Sequence, residues 1–263
     1  MGERAAVSTE QNISRRAWKR DELLLALRLY IRTPFGRLHR TNPEIVQLAI
    51  DLGRTPSAVA MKTSNFASLD PDHAARGVVG LRGASRADRE IWAEAHRNLG
   101  AFAVESESAQ TRTRDANESK EVRARPSGPT ESEVTRNERL VQSFFRAAVL
   151  AAYDGRCAVT GLSVLMLLNA SHIIPWSVDA DRRADPSNGI ALNVLHDRAF
   201  DRGLITFDQS LRLIVSSELR TSKTTTFHRS ALLDFEGSRL NVPERYPPDE
   251  DALRYHRDTV FRP

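Results

Sequence analysis

Residues 164–203 read VLMLLNASHIIPWSVDADRRADPSNGIALNVLHDRAFDRG, and the hydrophobic pattern of this stretch decides the fold of the C-terminal half. Residues 164–168 form an unbroken apolar run, which predicts a buried strand that presents Ser171 and His172 at its end before Pro175 stops it. The polar segment SVDADRRADPSNG predicts a loop, IALNVL a second strand, and HDRAFDRG a helix closed by Gly203. Beyond it, LITFDQSLRLIVS predicts a hairpin turning at Asp208 to Ser210. Asp197 and Asp201 are four residues apart, which puts both carboxylates on one face of the helix, one turn from each other. Hard oxygen ligands in that arrangement suit Mg²⁺ or Mn²⁺ better than Zn²⁺. His172, neutral near pH 7, is a candidate general base. Taken alone, a Ser-His pair at a strand end also reads as a structural polar contact, and Asp201 before Arg202 as half of a helix-terminal ion pair.

ASHIIPW, DPSNGIAL and HDRAFDRGLITFD, in that order, resemble the HNH endonuclease family, in the branch whose motif reads SHI-P-W, then R-x-D-x-x-NG, then AFDRG. The resemblance runs from about Arg139 to the C-terminus and takes in FFRAAVLAAYDGRCAVTG and ALRYHRDTVFRP. It implies a ββα-metal fold that hydrolyses DNA phosphodiesters with one divalent ion, Mg²⁺ or Mn²⁺. His172 would take the proton of the attacking water, Asn188 would hold the loop so that His172 points at the phosphate, and Asp197 and Asp201 would bind the metal. His196 is the reserve ligand, or a phosphate contact. Two departures stand out. Many members carry a metal-ligating Asp or His immediately before the base, and here that position is Ser171. Others carry a Cys-based zinc knuckle, but Cys157 is followed three residues later by Thr160, so no structural zinc is expected. Ser171 is the best argument for the alternative, a DNA-binding regulator or toxin-like interaction protein with a degenerate HNH fold.

Working outward, Leu23, Leu24, Leu27, Tyr30 and Ile31 recur at helical spacing behind the acidic first-turn pair Asp21 and Glu22. A second helix is predicted from Asn42 as N-cap and Pro43 to Gly53. A third is capped by Thr55, with Val59, Met61 and Phe66 as buried candidates. Helix, short Gly-containing turn and helix suggest a helix-turn-helix, in which Ser57, Lys62, Ser64 and Asn65 face DNA and Arg54 meets a phosphate; a plain packing unit fits the same pattern. WKRDELLLALRLY and GRTPSAVAMKTSNFASLDP resemble an N-terminal region found ahead of HNH nuclease domains, Myb-like in its Trp-led first helix. A further helix over residues 85–98 presents Ile91 and Trp92 to the core. In the C-terminal half Arg182, Arg183 and Arg198 are candidates for holding the DNA backbone.

The chain of 263 residues is 40% hydrophobic and 27% charged, the composition of a soluble globular protein with room for two small domains. Over residues 14–100 basic residues outnumber acidic ones by 15 to 9, whereas residues 138–263 carry 16 of each, so the net +4 originates in the N-terminal part. Residues 101–130 are rich in Ser, Thr, Glu and Arg and poor in large apolar side chains after Val104, which predicts a flexible linker. The tail before Ser14 is expected to be loose. The single cysteine excludes an internal disulfide and is read as a buried small residue. With no long apolar run and no signal-peptide pattern, neither membrane insertion nor export is expected, which points to the cytoplasm.

The expected fold class is therefore α+β: an all-helical, helix-turn-helix-like domain over residues 14–100, a linker over 101–130, and a ββα-metal nuclease domain over 131–263. A reader module linked to an HNH module resembles modification-dependent restriction enzymes, and suggests double-stranded DNA as the partner with methylated or hydroxymethylated cytosine as a cue. One metal per site cuts one strand, so a double-strand break requires a homodimer or two binding events.

Overall fold

A computed structural model describes residues 16–77, 83–118, 133–220 and 223–263, and divides the chain into two compact units, residues 1–141 and 142–263. The expectation of a loose N-terminal tail lies outside the described residues, as does the linker expectation over residues 119–130. No helix among the described residues is long and apolar enough to cross a membrane.

The first unit is helical. Helix α1 (Arg20–Arg32) packs against α2 (Pro43–Leu52), α3 (Pro56–Ala67), α5 (Arg86–Arg97) and α6 (Leu99–Glu118), with the short α4 (Pro71–Ala75) between α3 and α5. Its central position explains its composition, because Leu23 to Leu27, Tyr30 and Ile31 are all buried. Helix α2 begins where Asn42 Oδ1 accepts from the Glu44 amide at 2.8 Å and ends at Gly53 in the left-handed conformation. Thr55 caps α3, and Ser85 caps α5 through a reciprocal bond with Asp88. Trp92 packs by its ring against Tyr30 and Phe66.

Three expectations are corrected here. Residues 101–118 belong to helix α6 rather than to a linker, because Glu105 and Glu107 pair with Arg20 and with Arg28 and Arg32 of α1, and Arg112 pairs with Asp21. Met61 is 58% exposed, whereas Val59 and Phe66 are fully buried. In the second unit residues 164–167 are exposed, Met166 to 93%, and residues 165–167 curl into a 3-10 turn ahead of the strand.

The second unit starts from the C-terminal part of α7 (Glu133–Ala152). Strands β1 (Leu168–His172) and β2 (Gly189–Asn193) pair antiparallel with Leu168 opposite Asn193 and His172 opposite Gly189. Helix α8 (Val194–Asp201) follows directly and packs on β1, β2 and β3. A hairpin of β3 (Ile205–Phe207) and β4 (Leu213–Val215), helices α9 (Thr226–Ala231) and α10 (Glu250–Tyr255), and a π turn (His256–Val260) complete the unit. Phe145, Val149, Cys157, Leu168, Ile190, Leu192, Phe200 and Phe207 form its core.

Two glycines set how closely the elements approach. A Cβ on Gly189 would lie 2.5 Å from Val149 and 2.7 Å from Phe145, so only glycine lets α7 close over the start of β2. At Gly203 φ is +70° and a Cβ would fall 2.0 Å from the Val260 carbonyl oxygen, while the Gly203 carbonyl accepts from the Arg262 amide at 2.9 Å. Gly203→Ala therefore combines left-handed strain with a backbone clash, and is expected to destabilise the unit by about 3 kcal/mol in urea unfolding. A loss below about 1 kcal/mol would mean that the C-terminal segment is not clamped on the end of α8.

Candidate active site

Alternation along β1 sends Asn169 and Ser171 to one face and His172 to the other. On the first face Asn169 Nδ2 donates to Asp197 Oδ2 at 2.6 Å, and the Ser171 hydroxyl donates to Asp197 Oδ1. On the other face the His172 ring stacks on Phe145, with centroids 3.7 Å apart and planes 13° apart. Ser171 and His172 both line one cleft of about 530 Å³, with Trp176, Asp197, Asp201 and His256 among others. Ser171 thus supports Asp197 rather than standing as an independent ligand.

His172 Nε2 lies 3.1 Å from the Arg183 carbonyl oxygen, which can only accept, so Nε2 carries the proton. Nδ1 is then the lone-pair nitrogen and has no hydrogen-bond partner among the described residues. Burial lowers the ring's pKa from the ordinary 6.5, and the bond to Arg183 pulls the other way. The net effect keeps His172 neutral and able to accept a proton at neutral pH.

Asn188 is buried and does not line the cleft. Its Oδ1 accepts from the Ile174 amide at 2.9 Å, and its Nδ2 donates to the Ile174 carbonyl at 3.2 Å and to that of Arg182 at 3.3 Å. It ties together the two ends of the loop that follows His172.

Helix α8 carries the carboxylates. Asn193 caps it, accepting from the amides of Leu195 and His196 at 3.0 Å each, and its Nδ2 donates to His196 Nδ1 at 2.8 Å. This bond turns His196 inward, edge-on to Phe235 at 5.4 Å, so His196 is buried away from the cleft and the reserve ligand is not placed to serve. A 100° step along the helix brings Asp197 to the cleft and the next turn brings Asp201. Partial shelter and then the Asp197 charge push the Asp201 carboxyl up from its ordinary value, against the pull of Arg198 and Arg202. His256 closes the back of the cleft: its Nε2 donates to the Phe200 carbonyl at 3.1 Å, its Nδ1 meets the Thr206 hydroxyl at 2.9 Å, and burial brings its pKa down to about 4.

Among the described residues no three His, Cys, Asp or Glu side chains gather as a metal cluster. The side chains that could hold a metal are Asp197 and Asp201, one turn apart, with the Asp201 carboxyl raised by partial shelter and then by the Asp197 charge. That fits a hard divalent ion which keeps most of its shell as water, Mg²⁺ or Mn²⁺.

The expected DNA contacts fall differently. Arg54 is buried between Glu22, at 2.8 Å, and the Trp18 ring, 3.9 Å from its centroid. Lys62 is buried against Asp88 at 2.7 Å, Asn65 is buried, and the Ser64 hydroxyl donates to the Ala60 carbonyl. Only Ser57 of the expected α3 set is exposed, because acids of neighbouring helices draw the cations inward. Arg182 pairs with Asp249 at 2.9 Å, Arg183 folds onto Trp176, and Arg198 is exposed on the cleft wall. The sequence does not single out Asn169, Trp176, Arg202 or His256 as parts of the site; for Asn169 alone the i, i+2 spacing from Ser171 on a strand is a signal, since it puts the two on one face. No curated protein matches the chain. Residues 157–208, which contain His172, Asn188, Asp197 and Asp201, match the family model described as HNH endonuclease.

Proposed function

We propose that the C-terminal unit is a divalent-metal-dependent DNA endonuclease that hydrolyses phosphodiester bonds. The observation that carries this reading is the Arg183 carbonyl 3.1 Å from His172 Nε2: it calls for a proton on Nε2 and leaves Nδ1 as the acceptor in a cleft shared with Asp197 and Asp201. Water gives its proton to Nδ1 as its oxygen attacks phosphorus, the P–O3′ bond breaks, and the 3′ oxygen takes up a proton from solvent. Asp197 and Asp201 would hold Mg²⁺ or Mn²⁺, which supplies charge stabilisation at the phosphate and the leaving oxygen. Asn169 and Ser171 fix Asp197 in place. Arg198 and Arg202, exposed one turn apart along the cleft, meet the flanking phosphates.

The wider role proposed is a restriction-type enzyme of the cytoplasm, in which the helical unit reads or grips double-stranded DNA and modified cytosine is the cue. It rests on the two-unit plan and the basic excess over residues 14–100. The test is incubation of supercoiled plasmid with the purified protein and Mg²⁺ or Mn²⁺, in matched unmodified, methylated and hydroxymethylated forms at fixed salt. Metal-dependent nicking or linearisation stopped by EDTA is expected. DNA binding without cleavage under either metal would favour a DNA-binding regulator or interaction protein with an idle nuclease fold.

A further inference from the structure

The loop between β1 and β2 must hold a carbonyl oxygen at a fixed place, because the Arg183 carbonyl decides which nitrogen of His172 carries the proton. Asn188 holds the neighbouring Arg182 carbonyl but does not reach that of Arg183. The side chain of Arg183 closes the gap. Its Nε donates to the Trp176 carbonyl at 2.9 Å, and its guanidinium lies over the Trp176 ring, 4.8 Å from the centroid. That ring stands edge-on to His172, at 5.7 Å and 82°. His172, the Arg183 carbonyl, the Arg183 side chain and Trp176 thus form a closed circuit of contacts. Arg183 makes no ion pair among the described residues. A phosphate reader would keep its guanidinium fork free for bidentate contact, whereas this one spends its Nε–H inside its own loop.

We propose that Arg183 is a positioning residue for His172: by clamping the loop on Trp176 it holds its own carbonyl against Nε2–H, and so keeps Nδ1 unprotonated and turned to the cleft. This rests on the reading of His172 as the base and deepens it. The wrong tautomer presents an N–H to the attacking water and cannot accept its proton.

The test reads the tautomer without any turnover, by ¹⁵N NMR of the His172 imidazole in the metal-free, DNA-free full-length protein above the pKa of the ring. One Nε2–H tautomer is expected in the parent, a mixture in Arg183→Ala, and an intermediate mixture in Arg183→Lys, which keeps a cation over Trp176 but lacks the fixed Nε–H. On cleavable plasmid, Arg183→Ala should lower kcat about tenfold or more at unchanged KM, with Arg183→Lys recovering part of the loss. An unchanged tautomer in Arg183→Ala overturns the proposal, as does a rise in KM with a shallower salt dependence, the mark of a lost phosphate contact. Should Arg183→Ala fail to fold, Arg183→Lys decides: mixing supports the clamp and the parent's single tautomer overturns it. A protein that cleaves nothing would remove the nuclease reading while the NMR result still judges the clamp.

Discussion

His172→Ala is expected to lose nearly all strand cleavage, by about 10² to 10⁴ in rate, while keeping DNA affinity. The side chain makes one hydrogen bond, to the Arg183 carbonyl, stacks on Phe145 and stands edge-on to Trp176. Its removal leaves one carbonyl and two rings less covered, which costs about 1 to 2 kcal/mol, so the variant should fold with a modestly lowered Tm. The pH profile carries a second signature. Because burial lowers the folded pKa of His172, the base form persists to a lower pH than for a free imidazole, and the acidic limb of the parent's rate should lie below 6.5. In His172→Ala that limb should vanish and the residual rate should rise with pH as hydroxide replaces the missing acceptor. Cleavage within a few-fold of the parent at neutral pH would remove His172 from the mechanism. Collapse of the fold would show that the ring's stacking on Phe145, not its chemistry, is what the strand end needs.

The candidate site was legible because it is local. His172, Asn188, Asp197 and Asp201 lie within 30 residues, and strand alternation with a helical turn is enough to bring three of them to one cleft and the fourth to the loop behind it. What the sequence could not show was which polar groups answer each other across distance. The pattern turns Lys62 of α3, and Arg54 just ahead of that helix, toward DNA, yet Glu22 lies 32 residues from Arg54 and Asp88 lies 26 from Lys62. Periodicity tells which face of a helix is apolar, not whether an acid stands opposite a cation on it. Residues 101–118 failed the same way: hydropathy saw a Ser- and Glu-rich stretch, while the acids of α6 are matched by arginines of α1. The strand was displaced by four residues because an apolar run does not fix register. Pairing with β2 does, and the run ahead of Leu168 is left on the surface, with the Leu165 carbonyl accepting from Arg146 at 3.4 Å.

Asp197→Ala and Asp201→Ala should both abolish metal-dependent cleavage but should differ in stability, and the difference tests the geometry of α8. Each removes one of two carboxylates available to the ion, so Mn²⁺ affinity, read by titration on the DNA-free protein, should fall in both, and the rate should fall by about 10² or more. Asp197 also accepts from Ser171 and Asn169, and Ser171 is only 2% exposed, so its loss leaves a buried hydroxyl unanswered. That costs about 1 to 3 kcal/mol, whereas Asp201 accepts no hydrogen bond among the described residues and its variant should melt like the parent. The two groups are linked by charge as well: partial shelter and then the Asp197 charge raise the Asp201 carboxyl, so Asp197→Ala should lower the Asp201 pKa part of the way to its ordinary value. His196→Ala is the discriminating control. His196 faces Asn193 and Phe235 inside the unit, so its loss should lower Tm and leave Mn²⁺ affinity within a few-fold. If His196→Ala instead abolishes metal binding while Asp197→Ala leaves it intact, α8 is turned by one residue from the arrangement described, and the carboxylate that Ser171 and Asn169 hold is a structural brace alone.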